Sequence, residues 1–296
     1  MLTPFGLATD AFYSVYTEIH ELMHGVQGKY FTSEKEDKYQ QDHYDLLYQG
    51  KSRDEAIAIQ TAKNPSLRRE LHYERCFKEM QANSAATCYM MLKAVETKDP
   101  DIISKVEKRL LNEAAAMSGA LMNENLGLAY FEYPATKRII EEIKQGKGRH
   151  LLNDKGLLNW PELYRYTQEK VEGMGYTKED MLTSLETAKK LRKIRFEHPD
   201  NKEEFLQAVE KEKENLPYPH NKIFAQFVEA QRRITGGSDR SLHRFYDLLG
   251  VKEGREKRLA DADGKKIPHI DEYRKIYRQA EYFKMLKKLS VDTVSK

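Results

Sequence analysis

Asp10-Ala11-Phe12-Tyr13-Ser14-Val15-Tyr16-Thr17-Glu18-Ile19-His20-Glu21-Leu22-Met23-His24 is the stretch from which the rest of the chain is understood. Phe12, Val15, Tyr16, Ile19 and Met23 recur at three- and four-residue spacing, the period of a helix with one buried face. Thr9 or Asp10 can cap its start, and Gly25 and Gly28 predict its end. His20 and His24 are four residues apart and so stand one turn above each other on the same face. Two imidazoles placed in this way can grip one metal ion, and Glu21 beside them can serve as general base toward a metal-activated water. Ile19 and Met23 set that face next to a core. The plainer alternative is a pair of buried histidines hydrogen-bonded to backbone.

A catalytic zinc takes three protein ligands and keeps one position open. The third ligand must come from elsewhere in the chain, and Lys78-Glu79-Met80-Gln81-Ala82-Asn83-Ser84-Ala85-Ala86 offers it in Glu79. Ala82, Ser84, Ala85 and Ala86 let a helix come close to its neighbour, as a short carboxylate arm requires. Asn83 lies one turn beyond Glu79 on the same face. Its side-chain oxygen can accept the second N–H of a ligand histidine and so fix tautomer and ring orientation. Glu74 and His72 are the rival ligands, and a surface role for Glu79 is the plainer reading. Tyr30, His72, Tyr73, Tyr130 and Tyr133 are all possible donors to an oxyanion. With 18 tyrosines in the chain, none of them stands out.

His20, Glu21 and His24, followed by Glu79 with Asn83 four residues later, resemble the zincin-like metallopeptidases of the gluzincin kind. In that family one helix bears His-Glu-x-x-His and a later helix bears a glutamate ligand. The run His24-Gly25-Val26-Gln27, with glutamine three residues after the second histidine, looks like small bacterial metallopeptidases. Glu79-Met80-Gln81-Ala82-Asn83 is similar to the third-ligand helix of the ImmA/IrrE peptidases. The resemblance covers roughly residues 9–92. It implies a Zn2+ cofactor held by His20, His24 and Glu79, Glu21 as catalytic base, Asn83 behind the ligands, and a protein or peptide substrate.

Outward from these motifs, nearly every segment reads at helical period. Helices are expected near 35–49, from Ser52-Arg53-Asp54-Glu55 (a capping-box pattern), from Ser66 to Thr97, and near 101–118, 135–145, 161–172, 178–196, 201–215, 221–234, 240–249 and 271–289. Asn64-Pro65, Lys98-Asp99-Pro100, Gly146-Lys147-Gly148, Gly173-Met174-Gly175 and Leu216-Pro217-Tyr218-Pro219 punctuate them. Only Leu126–Phe131 and Lys265–Ile270 suggest extended chain. The expected fold is therefore mostly α. A minimal zincin-like core over 1–145 is followed by a helical region over 146–296, with the boundary where glycines cluster near 146–160.

Composition narrows the function classes. A net charge of +3 with 33% charged residues of both signs disfavours a nucleic-acid binder, which gathers its basic residues on one surface. No apolar run approaches the ~18 residues of a membrane span. Cys76 and Cys88 would stand about 18 Å apart on one helix, too far for a disulfide, and this fits a reducing compartment. No basic-then-apolar leader is visible at the start of the sequence. The expectation is a cytoplasmic protein, or one secreted by a bacterial system that needs no signal peptide. Two rival functions stand beside the peptidase: a helical scaffold with a structural metal site, and a J-domain-like co-chaperone module around His198-Pro199-Asp200, a tripeptide that also makes an ordinary turn. Asp261-Ala262-Asp263-Gly264 fits a calcium loop in neither register and reads as a turn.

Overall fold

The computed structural model describes residues 11–30, 34–116, 127–198 and 201–233. These residues are mostly α-helical, and the described part contains no strand, only one isolated bridge between Leu152 and Leu158. In chain order the helices are α1 (Ala11–Tyr30), α2 (Glu34–Tyr48), α3 (Arg53–Lys63), α4 (Pro65–Glu96), α5 (Pro100–Ala116), α6 (Tyr133–Lys144), α7 (Trp160–Glu172), α8 (Lys178–Glu197), α9 (Lys202–Lys213) and α10 (His220–Arg233). Short 3-10 turns cover Gly127–Tyr130 and Arg149–Leu151.

Local chemistry sets most of these boundaries. The Ser52 hydroxyl accepts from the Glu55 amide, while the Glu55 carboxylate accepts from the Ser52 amide, a reciprocal cap that starts α3. Thr177 and Asp180 repeat this device at α8. Gly50 ends α2 with φ +82°, a left-handed conformation that glycine adopts without a Cβ penalty. After α4, Asp99 accepts from the amides of Asp101 and Ile102 and opens α5.

Two sequence expectations are corrected. Gly25 and Gly28 do not end α1, which runs on to Tyr30. A glycine inside a helix costs about 1 kcal/mol relative to alanine. Val26 and Gln27 are buried, and Gln27 makes two hydrogen bonds to α4, so continuing the helix outweighs that cost. The second correction concerns Leu126–Phe131, where residues 127–130 form a 3-10 turn rather than extended chain. The turn packs on α4 and α8, and among the described residues there is no strand for it to pair with. The expected helices near 240–249 and 271–289, the extended piece at 265–270 and the Asp261–Gly264 turn lie outside the described residues, as do the caps Thr9 and Asp10.

The hub of the structure is α4. It packs on α1 most extensively, and also on α3, α5, α6, α7, α8 and the 127–130 turn. From Met80 to Leu92 every residue is buried, so this stretch has no solvent face. Alanines at 82, 85 and 86 leave space for neighbouring backbones. Phe12, Val15, Ile19 and Met23 of α1 are fully buried and form one cluster with α4, α5 and α6, which also takes in Leu151, Leu158, Trp160 and Leu163. Each such side chain contributes about 1.5–3 kcal/mol on burial. A second cluster gathers Phe131, Phe205, Phe224 and Phe227 with Met80, on the side of α4 facing α8–α10. Cys76 and Cys88 are buried thiols on α4 and form no disulfide with each other; burial pushes the Cys76 thiol up to about 12. No helix among the described residues is long and apolar enough to cross a membrane.

Candidate metal centre

Along one face of α1 stand Tyr16, His20, His24 and Gln27, each three or four residues from the next. They meet α4 in descending order. The Tyr16 hydroxyl donates to the Asn83 carbonyl at 3.2 Å. His20 Nδ1 lies 2.7 Å from Asn83 Oδ1. His24 Nδ1 lies 2.7 Å from Gln27 Oε1, and Gln27 Nε2 donates to the Lys78 carbonyl and to Gln81 Oε1, both at 2.9 Å. The two helices therefore run in opposite directions where they cross, and Glu79 falls opposite the gap between the two histidines.

The consequence is a convergence of three donor atoms. His20 Nε2 and His24 Nε2 are 3.1 Å apart. Glu79 Oε2 is 3.4 Å from the first and 3.6 Å from the second. A tetrahedral ion with bonds of about 2.0–2.2 Å sets its ligand atoms roughly 3.3–3.6 Å apart. His20, His24 and Glu79 thus form a group that could hold a metal ion. Their side chains are 12%, 14% and 13% exposed, so the group is nearly buried but reached from one side.

Tautomers decide what the convergence means. Gln27 Nε2 faces a backbone carbonyl, which only accepts, so the amide must turn Oε1 toward His24. His24 then carries its proton on Nδ1. His20 does the same toward Asn83 Oδ1. Both Nε2 lone pairs and a carboxylate oxygen therefore point into one small space, where a metal ion or a proton on one imidazole relieves the repulsion. The titration of the group follows the same logic. Burial works against a charged His24, but the Glu79 carboxylate overcomes it and holds the imidazole above its ordinary value. Burial likewise opposes a charged Glu79, yet His20 and His24 hold its carboxyl well below the usual range.

The surroundings are polar on one side. Arg75, half exposed and one turn before Glu79, sets Nε 4.0 Å from Glu79 Oε1. The 127–130 turn brings the Tyr130 hydroxyl to the Glu79 carboxylate; burial, and then that carboxylate, push the phenol well above its ordinary value. Of the five candidate donors, Tyr130 is the one the structure sets beside the group. Tyr73 packs on Phe77, and Tyr133 lies in a small cluster with Ala115. The side chains of Tyr30 and His72 lie outside the described residues. Glu21 is half-buried on α1, where its charge acts on His24. Glu74 does not join the group: five residues before Glu79, it projects about 140° around α4. His198 ends α8 with Nδ1 3.5 Å from a Glu204 carboxylate oxygen, while Pro199 and Asp200 lie outside the described residues.

Three further residues serve the site without having been assigned a role from the sequence. Gln27 orients His24, a role its spacing three residues after His24 could have suggested. Tyr16, one turn before His20, ties α1 to the Asn83 carbonyl. Gln81 accepts from Gln27 and donates to the Tyr164 carbonyl on α7 at 2.9 Å. No protein-family model, curated protein or solved structure matches this chain.

Proposed function

We propose that the chain is a zinc-dependent peptidase that hydrolyses peptide bonds in a protein or peptide, with His20, His24 and Glu79 as ligands and Glu21 as general base. The observation that carries this reading is the convergence of His20 Nε2, His24 Nε2 and Glu79 Oε2 within 3.1–3.6 Å, with both Nδ1 atoms facing amide oxygens. Two imidazoles and one carboxylate are a donor set suited to zinc. Only three such donors converge among the described residues, and a purely structural zinc site normally closes with four.

The chemistry a bound zinc supplies is Lewis acidity toward a carbonyl and toward water. Everything else falls to the chain. Asn83 and Gln27 hold the imidazoles in one tautomer. Glu21, next to His20 in sequence, takes a proton from the attacking water and returns it to the leaving amine as the C–N bond breaks. Tyr130 offers a hydroxyl to the oxyanion that forms on the carbonyl. The half-exposed Arg75 guanidinium sets a positive charge beside Glu79.

The test pairs metal content with Glu21→Gln. Protein prepared without chelator should carry close to one zinc per chain. Glu21→Gln should keep that zinc and its thermal stability but lose about 10²–10⁴-fold in cleavage, measured on substrates found by a proteome-wide search for new fragments. A scaffold with a structural ion would keep the zinc and give identical fragments for both proteins, and that result would overturn the proposal.

A further inference from the structure

Glu132 sits just before α6, where a short polar side chain would usually cap the helix. It makes no such cap. Its side chain turns inward instead and is 0% exposed. Burying a carboxyl costs several kcal/mol unless a polar partner meets it. The groups beside it are its own backbone N–H and the Asn83 amide. Neither Glu132 oxygen completes a hydrogen bond, and neither does Asn83 Nδ2, so a buried acceptor and a buried donor are left beside each other.

This matters because each ligand histidine is held by a side-chain amide, and an amide orients a ring only if something orients the amide. For Gln27 that anchor is complete, in the Lys78 carbonyl and Gln81 Oε1. For Asn83, Oδ1 is given to His20 and Nδ2 is left on the far side, 1% exposed. The acceptor on that side is Glu132. A flipped Asn83 would present Nδ2 to His20 Nδ1 and reverse the tautomer, turning a protonated nitrogen toward Glu79. We propose that Glu132 is the positioning residue that fixes the Asn83 amide, and through it the Nδ1–H tautomer of His20 on which metal binding depends. A carboxyl retains an accepting oxygen in either protonation state, so the role does not depend on its charge. The inference rests on the metal-binding reading of His20, His24 and Glu79, but its primary readout does not.

That readout is the His20 tautomer in metal-free protein, followed by ¹⁵N NMR of the histidine rings. Wild type should show His20 protonated on Nδ1. Glu132→Leu, which removes every acceptor at similar size, should give a mixture of tautomers at His20 and leave His24 unchanged. Glu132→Gln, which keeps an accepting oxygen, should preserve the wild-type pattern. Zinc affinity by chelator competition should fall about 10–100-fold in Glu132→Leu and about threefold or less in Glu132→Gln. Thermal stability without metal should hold or rise in Glu132→Leu, because a buried acid gives way to a hydrocarbon. In an Asn83→Ala background, Glu132→Leu should have no further effect on zinc affinity, which keeps the test sharp if either single variant folds poorly. An unchanged His20 spectrum in Glu132→Leu, or additive losses in the double variant, would overturn the inference. Failure of wild type to bind zinc would instead count against the metal centre itself.

Discussion

Replacing Gln27 with leucine separates the metal centre from the fold most cleanly. Gln27 is 1% exposed and makes three hydrogen bonds: it accepts from His24 and donates to the Lys78 carbonyl and Gln81 Oε1. The Lys78 carbonyl still takes part in the α4 ladder, so its loss is small. His24 Nδ1–H and Gln81 Oε1 are stranded in the interior, at about 1–3 kcal/mol each. A leucine regains about 1.5–3 kcal/mol by burial. The net destabilisation of metal-free protein should be about 2 kcal/mol, read from urea unfolding monitored by helical circular dichroism. Metal binding loses more than stability alone explains, because His24 is free to reverse its tautomer. Zinc affinity, measured by chelator competition, should fall about 10–100-fold, or about 1.4–2.8 kcal/mol. Gln27→Glu supplies the contrast. It keeps an acceptor for His24 but sets a carboxylate against the Lys78 carbonyl and Gln81 Oε1, so it should destabilise the fold while retaining more of the zinc affinity than Gln27→Leu. If Gln27→Leu binds zinc as tightly as wild type, amide control of the His24 tautomer is refuted.

Further outcomes follow from the same geometry. Elemental analysis should find zinc lost in His20→Ala and in His24→Ala, and Glu79→Ala should weaken binding far more than Glu74→Ala; the reverse order would put the third ligand elsewhere. Zinc needs His24 deprotonated, and His24 is held above 6.5, so proton competition should set in at higher pH than for an ordinary imidazole and affinity should fall as pH drops through that raised value; a pH-independent affinity from pH 8 to 5 would contradict this. Without metal the sign reverses: the His24 contribution to stability is full below 6.5 and is lost as pH rises through its folded value. His220 behaves oppositely. It is buried, with its ring nitrogens 2.8 and 2.9 Å from the hydroxyls of Thr183 and Thr187, and burial lowers its pKa despite the Asp180 charge. Its share of stability is full above 6.5 and is lost as pH falls through the folded value, so unfolding curves of His220→Gln should show a shallower acid limb than wild type below pH 6.5.

What the sequence made legible was whatever local periodicity or capping controls. The apolar spacing of α1 placed Phe12, Val15, Ile19 and Met23 in the core, and the stop at Gly50 and the cap at Ser52 follow from residues that act within one turn. The grouping of His20, His24 and Glu79 was legible too, because four-residue spacing fixes two donors and the small residues of α4 suggest where a third can approach. Gly25 and Gly28 misled, because helix propensity is a term of about 1 kcal/mol that tertiary hydrogen bonds at Gln27 override. Glu132 gave no signal at all. Its position before α6 reads as an exposed cap, and only the three-dimensional packing turns its side chain inward toward Asn83.

The middle of α4 shows why the site belongs where it is. A helix buried on all sides is usually filled with hydrocarbon, yet α4 carries Gln81, Asn83, Ser84 and Thr87 in its most enclosed stretch. Each buried polar group costs about 1–3 kcal/mol when unmatched, so an all-apolar α4 would make a more stable hub. Gln81 and Asn83 are not spread at random. Gln81 bridges Gln27 on α1 and Tyr164 on α7, while Asn83 meets His20 through its side chain and Tyr16 through its carbonyl. With the Gln27 bond to the Lys78 carbonyl, the bonds to Gln27, His20 and Tyr16 tie α1 to α4 on both sides of Glu79 along α4. Sliding α1 by one residue would move its atoms about 1.5 Å along the axis and turn its side chains by about 100°, breaking these α1–α4 contacts, though not the Gln81–Tyr164 bond to α7, and dispersing the donors. The polar stretch of α4 therefore fixes helix register, and register is what a centre built from two side chains of one helix and one of another requires.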